Sequence, residues 1–192
     1  LGQHQEAENA CYKTIELNPN LFNSHYLLSA ILVGQNKLHE AEIHLRKTIE
    51  LNPNFAKAHS NLGNILKDLG KSQEAELSTR KAIELNPNCA EFYYDLGNIL
   101  IYLGKSKEAE LSYRKAIDLN PDFAEVHSNL GNILRDLGKL KEAELSTRKA
   151  IKLKPDLAEA HSNLGNILSA LGKLKEAELS QRKAININPN FA

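Results

Sequence analysis

The chain has 192 residues, with 24 Lys plus Arg against 24 Asp plus Glu and a formal net charge of zero. That balance lacks the basic field that nucleic acid or an anionic membrane requires, so neither is an expected partner, and no apolar run approaches the roughly 18 residues of a membrane span. Cys11 and Cys89 stand far apart without CxxC or Cys/His spacing, which argues against a disulfide framework or a zinc site and fits a reducing, cytoplasmic setting. No signal or transit segment is visible, and a chain that starts at Leu1 and contains no Met is expected to be a piece of a longer protein.

All six prolines fall at 19, 53, 87, 121, 155 and 189, each gap being 34 residues. A fixed period of that size signals a repeat architecture. In chain order, residues 1–21 read as one helix ending at Pro19, the second half of a preceding repeat. Full repeats then run over 22–55, 56–89, 90–123, 124–157 and 158–191. Residues 56–89 and 124–157 agree at 25 of 34 positions, so these units should share one geometry. Residues 22–55 diverge most, with Ser29 where later repeats have Gly and with Gly34 displaced ahead of Asn36. That repeat and residues 1–21 are expected to be the least stable part of an array whose stability is a sum over repeats and interfaces.

Within each full repeat the pattern predicts two helices. In 124–157, Leu130, Ile133, Leu134 and Leu137 keep the spacing of an apolar helical face, and Gly138 stops that helix. Ala143, Leu145, Ala150, Ile151 and Leu153 form the stripe of a second helix, which Pro155 ends. Asp156 with Glu159, and Asp122 with Glu125, suggest capping boxes. "EAE" recurs six times, and Glu76 to Arg80 is an i,i+4 pair of favourable order. These charges read as a solvated outer face.

A 34-residue helix–turn–helix unit with these small and apolar positions resembles the tetratricopeptide repeat. With each Pro placed at position 32, Leu62, Gly63 and Leu66 occupy positions 7, 8 and 11, and Ala75, Ala82 and Pro87 occupy 20, 27 and 32. Gly63, Gly97, Gly131 and Gly165 are expected to face Ala75, Ala109, Ala143 and Ala177, letting paired helices approach closely. The chain departs from the family pattern at position 4, where His25, His59, Tyr93, His127 and His161 replace a bulky residue, and at position 24, where Leu45, Thr79, Tyr113, Thr147 and Gln181 stand. The resemblance implies an all-α solenoid of antiparallel helix pairs winding into a right-handed superhelix, with the first helix of each repeat lining a concave groove.

On the positions that the resemblance turns inward, position 6 carries Asn61, Asp95, Asn129 and Asn163, and position 9 carries Asn64, Asn98, Asn132 and Asn166. An amide both donates and accepts, so it can hold a peptide backbone without reading side chains. Similar ladders line the repeat arms of O-linked N-acetylglucosamine transferases. Seven of these asparagines are expected to line one continuous surface. Tyr94 and Tyr102, with Ile101, and Tyr26, with Leu27 and Val33, add apolar anchors. Position 5 is Tyr or Ser rather than Lys or Arg, which argues against a carboxylate clamp.

No catalytic constellation, cofactor motif or metal-ligand spacing stands apart from the repeats. The expected function is therefore a non-catalytic scaffold that binds an extended peptide or a partner protein. The alternative is the substrate-selecting arm of a larger enzyme such as a glycosyltransferase. Ala7, Cys11 and Ile15 at one end, and Ile185, Ile187 and Phe191 at the other, are expected to leave apolar surface for weak end-to-end self-association.

Overall fold

Helix follows helix through the computed structural model, which describes residues 2–189, with side chains from residue 6 onward. Leu1 and residues 190–192, hence Phe191, lie outside the described residues. Eleven α-helices occur among the described residues: α1 (Gly2–Leu17), α2 (Phe22–Gly34), α3 (Leu38–Leu51), α4 (Ala56–Asp68), α5 (Ser72–Leu85), α6 (Ala90–Tyr102), α7 (Ser106–Leu119), α8 (Ala124–Asp136), α9 (Leu140–Leu153), α10 (Ala158–Ala170) and α11 (Leu174–Ile187). They group into two units, Leu1–Leu103 and Gly104–Ala192.

The helix ends obey local chemistry. Gly70, Gly138 and Gly172 take positive φ, and Asn36, one of the residues that tolerate this conformation, does the same at φ 60 in place of the displaced glycine of the divergent repeat. After α4 the Lys71 N–H donates to the Leu66 carbonyl at 2.7 Å and the Gly70 N–H to the Lys67 carbonyl at 3.0 Å, the paired bonds of a Schellman turn. Ahead of α2, α6 and α8, an asparagine before proline folds an Asx turn, as where the Asp122 N–H donates to Asn120 Oδ1 at 3.3 Å. The expected capping boxes do not form. The N-cap residues of α8 and α10 are Phe123 and Leu157, without side-chain caps, because each N-cap falls one residue past the aspartate. Glu125 instead accepts from Lys154 at 2.8 Å.

In the first unit Leu28, Leu32, Ala41, Leu45, Ala58, Leu66 and Ala75 build one buried cluster. In the second, Leu164, Leu168 and Ala177 pack with Ile151. The second-helix stripe differs from the expected one. Ala143, Thr147 and Ala150 are buried, whereas Leu145 is 71% exposed. Two residues along a helix is a turn of about 200°, so Ala143 and Leu145 cannot share a face.

The glycine contacts also gain a partner. A Cβ on Gly63 would lie 3.2 Å from the Ala75 carbonyl oxygen, and would run into Thr79 Oγ1. Gly131 meets Ala143 and Thr147 in the same way. Position 24 is thus Thr where the first helix comes closest.

The outer charges do more than sit in water. Glu42 accepts from Arg46 on its own helix at 2.9 Å and from Lys71 of the next repeat at 2.9 Å, while Arg46 reaches on to Glu74 at 2.8 Å. Glu110, Arg114, Lys139 and Glu142 repeat the arrangement in the second unit, as do Glu144, Arg148, Lys173 and Glu176. In these three ladders the first Glu of an "EAE" receives the preceding repeat's arginine, and the second holds its own arginine and the next repeat's lysine. Burial works against the charge of Glu42, yet Lys71 and Arg46 hold its carboxyl below the ordinary range.

Candidate functional site

The first helices α2, α4, α6, α8 and α10 carry the candidate residues, and within each unit a hydrogen-bond rule links successive ones. The position-6 side chain bonds position 5 of the preceding repeat. Asn61 Nδ2 donates to Tyr26 Oη at 3.1 Å, Ser60 Oγ donates to Asp95 Oδ2 at 2.7 Å, and Asn163 Nδ2 donates to Ser128 Oγ at 3.1 Å. Position 6 therefore spends part of its capacity on fastening repeat to repeat, which a reading of one helix at a time misses.

Position 9 is differently placed. Asn64 is half-buried and hydrogen-bonds Asp95. Asn166 is exposed, and its Oδ1 accepts from Gln181 Nε2 at 2.9 Å. Asn98, Asn129 and Asn132 are half-buried. Between α2 and α4 a groove of about 280 Å³ is lined by Asn61, Asn64 and Asp68 with Ala30, Val33 and Ile65. Amide groups and apolar methyls thus face one space, as a peptide backbone with small side chains requires.

Asp95 is the one acid in the position-6 row. Burial pushes its carboxyl above the ordinary aspartate range, against the bonds from Ser60 and Asn64 and the charge of Lys67. The aromatic residues divide. Tyr26 packs edge-on against Phe55, with ring centroids 4.9 Å apart, and serves the helix interface. Tyr102 is 70% exposed, and Lys67 Nζ stands 5.7 Å from its ring centroid. Tyr94 is half-buried. Leu27 and Val33 are exposed on the same helix as Tyr26.

The position-4 histidines have a structural task. Nε2 of His25, His59, His127 and His161 lies 2.9–3.1 Å from the carbonyl oxygen of Pro19, Pro53, Pro121 and Pro155 respectively. Each pins the turn that precedes its helix.

Tetratricopeptide repeat models match residues 22–55, 56–89, 79–110 and 158–191, and a TPR repeat model matches 97–134 and 131–172. The chain belongs to the tetratricopeptide repeat family, whose fold makes it a protein–protein interaction scaffold. Among solved structures it is similar to YrrB, described as a TPR protein with an unusual peptide-binding site, at 27% identity and TM-score 0.73, covering 94% of this chain and 93% of that one. It is similar in fold to MamA from Desulfovibrio magneticus RS-1, at 21% identity, TM-score 0.77 and coverage of 88% and 96%. PilF of Pseudomonas aeruginosa gives 17% identity, TM-score 0.85 and coverage of 98% and 86%. No curated protein matches the sequence. No helix among the described residues is long and apolar enough to cross a membrane.

Proposed function

We propose that this scaffold binds an extended peptide segment along its first helices, without chemistry of its own. The groove lined by Asn61, Asn64, Ala30 and Val33 carries the reading. Its amides are held by neighbouring repeats before any ligand arrives, so little side-chain entropy is lost on binding. Position 9 offers the backbone contacts, through Asn64, Asn98, Asn132 and Asn166, while position 6, through Asn61, Asn129 and Asn163, adds the capacity its inter-repeat bonds leave over. Tyr102 and Tyr94 supply apolar anchoring near Asp95, whose half-buried carboxyl is placed to meet a basic ligand group. The likeness to YrrB, itself described as peptide-binding, agrees with this reading.

The test is selection of binders from a random peptide library, then titration of several unrelated winners against Asn64→Ala/Asn132→Ala/Asn166→Ala. One hydrogen bond contributes about 0.5–1.5 kcal/mol, so the triple variant should weaken every winner by at least about tenfold. Loss confined to one sequence class would mean side-chain reading, and unchanged affinity would remove the amides from the site.

A further inference from the structure

The face opposite the amides carries a second feature, which goes beyond the peptide groove. Position 22 is Ile43, Leu77, Leu111, Leu145 and Leu179, and these are 65%, 71%, 67%, 71% and 67% exposed. The neighbouring position 21 is the partly or largely buried glutamate of the ion ladder in the first four of these repeats. Each of those helices therefore turns an aliphatic side chain to water and a carboxylate inward, and the buried carboxylate carries a cost that must be met by partners. The ladder explains the glutamates. The leucines instead recur at one position on the outer face of successive second helices.

In the second unit these leucines wall two equivalent grooves, of about 500 Å³ beside Leu145 and about 390 Å³ beside Leu179. Their charges differ. The first holds Asp118 and Glu142 beside Arg114 and Lys149. The second has Leu164 and Ile151 as its floor, Leu179 as its wall, and Arg148, Lys152 and Lys183 around it, with no acid in its lining. Arg148 is already paired with Glu144 and Glu176. Lys152 and Lys183 enter no ion pair among the described residues.

The charge at this groove results from a reversal at one repeat position. Position 29 is Glu50, Glu84 and Asp118 in the three preceding repeats, and Lys152 here. In the first unit that acid neutralises the position-26 lysine, Lys47 to Glu50 at 2.7 Å and Lys81 to Glu84 at 2.9 Å. The lysine of its own repeat, Lys149, turns to Asp122 at 3.6 Å. Where the first groove has Asp118, this one therefore has a cation, Lys152, over an apolar floor, and Lys183 has Asn186 rather than an acid three residues on.

We propose that the groove between α9 and α11 is a docking site for an acidic amphipathic segment of a partner protein. An apolar side chain of the segment fills the space against Leu179, Ile151 and Leu164, and its carboxylates meet Lys152 and Lys183. Cations at a groove rim raise association rates and set partner choice more than they add affinity, and their effect fades with salt.

The probe is a fluorescein-labelled helical peptide with Leu at i, i+3, i+4 and i+7 and Glu elsewhere, beside a control with Lys for every Glu. The Glu peptide should bind, with a Kd that rises with salt. Leu179→Ser and Lys152→Glu/Lys183→Glu should each weaken it at least about tenfold, and the charge-reversed protein should prefer the Lys peptide. Both variants alter exposed side chains, and circular dichroism confirms their fold. The variant Asn64→Ala/Asn132→Ala/Asn166→Ala should bind the Glu peptide unchanged, which separates this site from the first-helix groove. Equal binding of the two peptides, or indifference to both groove variants, overturns the proposal. So does light scattering that shows wild-type dimers dissolved by Leu179→Ser, since a second copy would then be the occupant.

Discussion

Thr79 lies where a side chain on Gly63 would have to go, and the consequence can be weighed. Alanine inside a helix is favoured over glycine by about 1 kcal/mol. Overpacking a close contact costs about 1–3 kcal/mol, and here one of the obstructing atoms is the Ala75 carbonyl oxygen at 3.2 Å, part of a backbone that cannot swing aside. Overpacking should win, and Gly63→Ala should lower the urea midpoint. Adding Thr79→Ala removes the nearer obstacle and should return part of the loss, a coupling that a double-mutant cycle reads directly. Gly34 is the control. It closes α2, has no positive φ and has nothing within 4 Å of a built Cβ, so Gly34→Ala should be neutral or stabilising by up to about 1 kcal/mol. If Gly63→Ala is also stabilising, close helix approach is not what fixes the glycine.

Helix pairs are joined by polar contacts as well as by packing, and α2 and α3 share one that titrates. Nδ1 of His25 lies 3.0 Å from Nδ1 of His44, and His25 Nε2 lies 3.1 Å from the Pro19 carbonyl oxygen. The carbonyl needs a proton on Nε2, so the neutral His25 presents a lone pair at Nδ1, and His44 supplies the single proton between the rings. A second proton there would set two donors face to face. Burial and then the charge of His25 hold His44 below the ordinary histidine range, against Glu40, which favours the cation; the Tyr12 ring covers the other side at 6.3 Å. A folded-state value below the unfolded one means that the folded form prefers neutral His44. Stability is then whole above the unfolded value of about 6.5 and is lost as pH falls through the lower folded value. The urea midpoint should therefore drop between pH 7 and pH 5, and His44→Asn should shrink that drop. An equal drop in both proteins would place the acid sensitivity elsewhere. The period and the helix identities were legible in the sequence, because prolines, glycines and apolar spacing act within one helix or turn. The His pair, the ion ladder and the position-5 to position-6 bonds were not, because they depend on how far one helix is rotated against the next. The same limit applied to the site. Asn64 could be assigned to the groove from its recurrence, whereas the diversion of Asn61 to Tyr26 required the neighbouring repeat.

At the scale of the chain, divergence from the consensus and weakness of packing come apart. Residues 22–55 depart furthest from the repeat pattern, which alone would make them the soft part of the array. Their side chains say otherwise. Leu28, Leu32 and Ala41 are fully buried and Leu45 is 1% exposed. Leu45 stands at position 24, where its successor is a threonine whose Oγ1 finds no partner. The Phe22 and Tyr26 rings close on Phe55 at 5.6 and 4.9 Å, tying α2 to the turn ahead of α4. Within each unit the main helix contacts join neighbours or next-but-one neighbours in the chain, so stability should be a local sum that each interface sets for itself. Helix α1 is the less covered element of the first unit, since Ala7 and Cys11 border an open apolar groove of about 360 Å³ with Leu27 and Ile31. Native-state hydrogen exchange reads these local free energies residue by residue. The amides of α2 and α3 should be protected at least as well as those of α4 and α5, and those of α1 should exchange faster than either pair. Faster exchange across α2 and α3 than across α4 and α5 would mean that consensus distance, not buried apolar contact, ranks the repeats. Uniform protection from α1 to α5 would mean that the unit opens as one body and that local summation fails.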